Sequence, residues 1–168
     1  MAGTQSFDVT STVDMQEVDN ALNQARAEVA QRFDFKGVRV EIELDRREGQ
    51  VRLLAADEYK LQALLGVVKQ KLARRRVPLR NLHEGRPEPA AGGASRMEIR
   101  LQQGIPGDVA REIARIVRDL KLKKVQAQVQ GDQLRIQGPK RDDLQTVIAT
   151  LRERDFGLEL QFGNFRGR

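Results

Sequence analysis

At 168 residues the chain has room for one ordinary domain or two small ones, and in the second case neither half can bury a large enclosed pocket. It has no cysteine and a single histidine, His83, which excludes disulfide and thiolate chemistry and leaves no histidine pair for a zinc or iron centre. The formal charge of +6 is unevenly spread along the sequence: 15 Lys and Arg stand against 14 Asp and Glu over residues 1–90, and 15 against 10 over residues 91–168, so the second half is the more attractive to phosphate.

Phe7, Val9 and Val13 alternate with Asp8, Thr10 and Thr12, which predicts a half-buried strand with Phe7 inward. Asp14 followed by Glu17 is a variant of the capping box, opening a helix expected to run to about Phe33 and to bury Val18, Leu22, Ala25, Val29 and Phe33. Val38, Val40, Ile42 and Leu44 then alternate with charged residues, and a turn ending at Gly49 leads into Val51, Leu53 and Ala55, a hairpin. Asp57 to Arg76 reads as a second helix and Leu79 to His83 as a weak strand. Gly85 to Ser95, with Pro87, Pro89, Gly92 and Gly93, reads as a linker or long loop.

The pattern then restarts. Met97, Ile99 and Leu101 form a strand, Pro106 suits the first turn of a helix burying Ile113, Ile116 and Val117, and Val125 to Val129 pairs across Gly131-Asp132 with Leu134 and Ile136. Arg141 to Arg154 is the last helix, and Leu158, Leu160 and Phe162 mark the last strand. Gln50-Val51-Arg52-Leu53 with Leu61-Gln62 recurs as Gln133-Leu134-Arg135-Ile136 with Leu144-Gln145 at the same spacing, the mark of a duplication. The fold class expected is therefore α+β: two βαββαβ ferredoxin-like (RNP-like) sandwiches in tandem, residues 1–90 and 91–168, each an antiparallel sheet with two helices on one face. An end strand of one can complete the sheet of the other.

The outward residues of the second unit's strands are then Arg96, Glu98, Arg100, Gln102, Gln126, Gln128, Gln130, Gln133, Arg135, Gln137 and Gln161. Such amides and guanidiniums can engage bases and phosphates, and the plainer reading is a solvated face. Single-stranded RNA readers of this fold stack bases on aromatic rings of the central strands, where this chain offers Arg52 and Arg135 instead. Three further groups are candidates for a nucleotide or phosphate. Arg32, Asp34 and Lys36 flank a bend ending at Gly37; Lys140 and Arg141 open the last helix, with Asp142 and Asp143 already serving its dipole; Phe165 and Arg166 set a ring beside a guanidinium near the end. For each the alternative is structural: core packing, a solvated helix start, a pinned terminal strand. No Ser/His/Asp set, phosphate-cradling GxxxxGK loop or arginine after a first strand is present, so an enzyme is not expected. The first six residues lack the regions of a signal peptide and no run of about 18 apolar residues occurs, so a cytoplasmic protein without a membrane partner is expected.

Ser6-Phe7-Asp8-Val9, Val13 to Ala21, Arg32-Phe33-Asp34-Phe35-Lys36-Gly37, Pro87-Glu88-Pro89 with Gly92-Gly93, Lys124 to Gln128 with Gly131-Asp132-Gln133, Lys140 to Gln145 and Leu160-Gln161-Phe162 with Asn164-Phe165-Arg166 together resemble the YajQ family of bacterial nucleotide-binding proteins. The chain departs from that pattern at Glu159, often proline, and at Gly163, often larger. The resemblance implies tandem RNP-like domains, a cytosolic location and binding of a nucleotide (ATP, GTP or cyclic di-GMP), with cyclic di-GMP the ligand of some members that then act on a transcription factor. It implies no catalytic residues and no cofactor. An RNA- or tRNA-binding module and a protein-interaction scaffold are the alternatives.

Overall fold

The computed structural model describes residues 3–167. In chain order its elements are β1 (Gln5–Thr10), α1 (Met15–Gln31), β2 (Val40–Asp45), β3 (Gln50–Ala55), α2 (Glu58–Arg74), β4 (Leu82–Glu84), β5 (Glu88–Pro89), β6 (Ser95–Leu101), α3 (Gly107–Asp119), β7 (Gln126–Gln130), β8 (Gln133–Gly138), α4 (Arg141–Arg152) and β9 (Gln161–Arg166). Two antiparallel sheets result, ordered β7-β8-β1-β9 and β2-β3-β6-β4, with β5 also on β6. Each has the ferredoxin-like order, built from a helix, a hairpin, a helix and a strand around one central strand.

The central strands are exchanged. β1 lies between β8 and β9, and β6 lies between β3 and β4. The chain accordingly divides into an outer unit, residues 1–12 and 103–168, and an inner unit, residues 13–102, rather than at residue 90. Burial explains the choice. Phe7 and Val9 are fully enclosed with Ile113, Leu134, Ile136 and Val147, whereas Met97, Ile99 and Leu101 pack with Leu22, Leu53, Leu64 and Val68. Each such side chain contributes roughly 1.5–3 kcal/mol when buried, so a central strand is firmly held by its sheet. On this division the inner unit has 17 basic and 14 acidic residues and the outer unit 13 and 10, so the charge is +3 in each. The basic bias expected of the second half belongs to a boundary the fold does not use.

The stretch from Gly85 to Ser95 is not a tether between the units. Gly85 N–H donates to Glu98 O at 2.8 Å, Glu88 pairs with Arg96, and Ala90 N–H donates to Ala94 O at 2.8 Å around Gly92 and Gly93, whose φ of 74° and 78° suit glycine. It is a hairpin folded onto β6. Arg96, Glu98 and Arg100 therefore belong to the inner sheet and leave the outward face of the outer one.

Local chemistry sets the remaining differences. Asp14 caps α1 by accepting from Gln16 N–H at 2.9 Å and Glu17 N–H at 3.3 Å, but Glu17 does not close a capping box; its carboxylate takes the Arg75 guanidinium at 2.6 Å. Helix α1 stops at Gln31, where Arg32 turns extended, and a 3-10 turn over Phe33–Phe35 reverses the expected burial. Phe35 enters the core while Phe33 is 88% exposed. The last strand starts later than its apolar alternation suggests: Leu158 is buried ahead of it, Ser11 Oγ donates to Glu159 O at 2.6 Å, and pairing with β1 begins at Gln161. Phe165 and Arg166 thereby become strand residues.

Gly163 sits opposite Asp8 on β9, and a Cβ built there meets nothing within 4 Å. Gly163→Ala is expected to stabilise the protein by about 0.4–1 kcal/mol, chiefly by restricting the unfolded chain. Urea denaturation of the two proteins measures it.

Candidate functional site

Five of the eight candidate residues lie in the outer unit, and pairing of β1 with β9 brings three of them together. Arg166 stands opposite Ser6 in the sheet, and Arg141 is the first residue of α4. Phe165 rests its ring 5.9 Å from that of Phe7, yet remains 62% exposed. Arg141, Phe165 and Arg166, with Gln5, Ser6, Leu144, Gln145 and Gly167, line a half-open cavity of about 390 Å³. Gly167, at φ 98°, holds the rim: a Cβ there would stand 2.8 Å from Gln5 Cα and 2.9 Å from Thr4 O, so only glycine lets the chain pass.

The guanidiniums of this cavity are not locked into ion pairs. Among the described residues no carboxylate lies within ion-pairing distance of Arg141 or Arg166. Lys140 occupies the N-cap of α4 without a capping side-chain bond, so the first-turn N–H groups point to the same end as Arg141, with Asp142 and Asp143 partly offsetting them. Lys140 itself is exposed and does not line the cavity.

Arg135 differs. On the open face it crosses from β8 to β1, its Nε 3.0 Å from Asp8 Oδ1, and Asn164 Nδ2 donates to Asp8 Oδ2 at 2.7 Å. Asn164 reaches this position through a bulge, at φ 51°, where the β1–β9 register shifts. The Arg135 hydrogen bond, with the Asn164 bond and the nearby charge of Arg166, holds the Asp8 carboxyl below the usual carboxylate range against the opposing effect of burial. The Asp8 carboxylate on β1, bound by Arg135 of β8 and Asn164 of β9, ties three strands together.

The remaining candidates sit in the inner unit. Arg32 Nη2 and Nε contact Asp34 at 2.7 and 3.0 Å, Arg32 Nη1 reaches Glu28 at 3.4 Å, and its Cζ stands 5.3 Å from the centre of the Phe35 ring. Lys60 donates to Asp34 O. Arg32 hydrogen-bonded to Asp34 keeps that carboxyl below its ordinary range. Lys36 is exposed at the mouth of a larger groove along β2, lined largely by Val29, Ala30, Phe35, Val38 and Val40. The basic partner of that bend is thus already neutralised, and no second free guanidinium joins Lys36 in its groove lining apart from Arg26, which donates twice to Ile42 O.

Residues 5–166 match the family model described as "Nucleotide-binding protein YajQ-like". The chain belongs to the YajQ-like family. Members of this family with high similarity include one from Carboxydothermus hydrogenoformans, 49% identical over 99% of this chain and the whole of the relative. Others come from Syntrophotalea carbinolica (50% identical) and Trichlorobacter lovleyi (47%), each covering 96% of this chain and 98% of the relative. All three are named nucleotide-binding proteins. Among the described residues no helix is long and apolar enough to cross a membrane.

In this YajQ-like chain the Asn164 amide is visible in the sequence beside Phe165 and Arg166, whereas Gln5, Gln145 and Asp8 are neighbours of the site that only the fold reveals. Gln145 carries a faint signal, since it lies four residues after Arg141 and so on the same helical face. Gln5 and Asp8 carry none. Their proximity to residues 164–166 comes only from the β1–β9 pairing.

Proposed function

We propose that the protein binds a nucleotide in the outer-unit cavity and performs no chemistry on it. Arg141 and Arg166 take the phosphate, Phe165 offers a face to the base, and the amides of Gln5 and Gln145 supply donors and acceptors for its edge. The observation that carries this reading is the convergence on one cavity of two guanidiniums without an ion pair among the described residues and an exposed ring. Its volume falls within the range of small-molecule sites, about 300–1,000 Å³. The family description and the names of the relatives support the ligand class. A binding role rather than catalysis is supported by the lining, in which the described residues include no histidine or carboxylate to act as a general base. Within this reading cyclic di-GMP is the signalling ligand, ATP and GTP its competitors, and the bound state acts in the cytoplasm on a protein partner such as a transcription factor.

Calorimetry against ATP, GTP, cyclic di-GMP and a short single-stranded RNA at two salt concentrations tests the proposal. Saturable binding of a nucleotide with one site per chain is expected. No heat with any nucleotide overturns it, and RNA binding alone, falling steeply with salt, transfers the assignment to the oligonucleotide reading.

A further inference from the structure

The two sheets have four edges among the described strands, and three are guarded. β2 carries Glu41, Glu43 and Asp45, and Arg26 donates from Nε and Nη2 to the outward Ile42 carbonyl at 3.1 and 2.7 Å. β4 and β5 are three and two residues long. β9 is broken by the bulge at Asn164. Short strands, charges and bulges are the devices by which proteins prevent edge pairing. β7 has none of them. Its five residues, Gln126-Ala127-Gln128-Val129-Gln130, contain no charge and no proline, and pair with β8 in unbroken register.

We propose that β7 is a self-association edge, through which two copies of this chain pair antiparallel about a two-fold axis at Gln128. The strand reads nearly the same in both directions, as an isologous contact requires. Around that axis Gln126 faces Gln130 of the other copy, Gln128 faces its own mate, and Ala127 faces Val129. Each Gln amide is both donor and acceptor, so amide meets amide without mismatch.

The backbone agrees. The two-residue turn at Gly131-Asp132 makes Gln130–Gln133 a hydrogen-bonded pair, and alternation turns the N–H and C=O of Ala127 and Val129 away from β8. These are the groups that a mate centred on Gln128 would bond.

The side chains agree as well. Val129 is 49% exposed, unusual for a valine in a sheet, and beside Ala127 lies a groove of about 370 Å³ lined by Ala114, Val117, Leu122 and Val125, with Arg118 also in its wall. The pairing sets Val129 of each copy next to Ala127 of the other, over that groove. At both ends the register places Lys124 across from the Gly131-Asp132 turn, a cation facing an anion.

The chain has no cysteine, so single cysteines report the register cleanly. In Gln128→Cys the two mates form a non-hydrogen-bonded pair, about 4.5 Å apart at Cα, a separation a disulfide spans. Mild oxidation is expected to give a covalent dimer at least about tenfold faster than in Gln126→Cys, whose mate faces Gln130. Sedimentation of the unmodified chain is expected to show a concentration-dependent dimer, and Val129→Lys to weaken it by roughly tenfold or more. A monomer at every concentration, equal cross-linking at positions 126 and 128, or a dimer unaffected by Val129→Lys overturns the proposal.

Discussion

Replacing both free guanidiniums of the outer cavity, in Arg141→Ala/Arg166→Ala, is expected to lower nucleotide affinity by roughly a hundredfold or more while leaving the unfolding midpoint nearly unchanged. A hydrogen bond to a charged group contributes about 1.5–3 kcal/mol, and about 1.4 kcal/mol is tenfold in affinity, so two lost contacts multiply to that range. The midpoint holds because both residues are exposed and form no ion pair among the described residues, and substitutions at such sites usually stay within about 0.5 kcal/mol. Each single variant should lose roughly tenfold. Calorimetry with the tightest-binding nucleotide, alongside a thermal melt, reads both quantities. Equal affinity in the double variant and the parent removes this cavity from the account.

Asp8→Ala is expected to do the opposite, costing about 2–4 kcal/mol of stability by leaving Arg135 and Asn164 without their shared carboxylate. Its effect depends on pH with a definite sign. Because the folded Asp8 has a pKa below that of the unfolded chain, its contribution is complete above the unfolded value, about 3.9, and is lost as pH falls through the lower folded value. The stability difference between parent and variant should therefore be constant near neutral pH and shrink in acid below about pH 4. Glu17, Glu28 and Asp34 are lowered in the same sense by Arg75, Lys71 and Arg32, so the variant retains some acid sensitivity. Urea denaturation at a series of pH values measures the difference, and a gap that widens in acid contradicts the assignment.

Periodicity carried most of the elements, because a strand or helix that buries one face must show its period whichever neighbour it meets. Partner choice leaves no such mark. Gln5–Thr10 and Ser95–Leu101 both read as alternating strands ahead of helical segments, and each fits the central place of either sheet by pattern alone. Only packing of Phe7 against Ile136, or Met97 against Leu53, separates them. Short-range geometry was equally silent on Phe33 and Phe35, two residues apart with opposite burial, since a 3-10 turn has neither the helical nor the strand period. The candidate site shows the same division. Arg141, Phe165 and Arg166 are visible as residue types beside a helix start and a terminal ring, but their convergence depends on where β9 begins, and β9 is set by contacts to β1. Arg135 is the converse case: on an outward position it reads as a ligand group, and the buried carboxylate that occupies it lies 127 residues away.

The most direct test is a backbone amide NMR titration of the full chain with the nucleotide that gives calorimetric heat. Shifts are expected to concentrate at Gln5 and Ser6, at Arg141 to Gln145 and at Phe165 to Gly167, and to saturate together with the calorimetric affinity. Shifts confined to the inner unit, around Arg32 to Lys36 and along Val38 to Val40, with the outer cavity unmoved, would contradict this assignment.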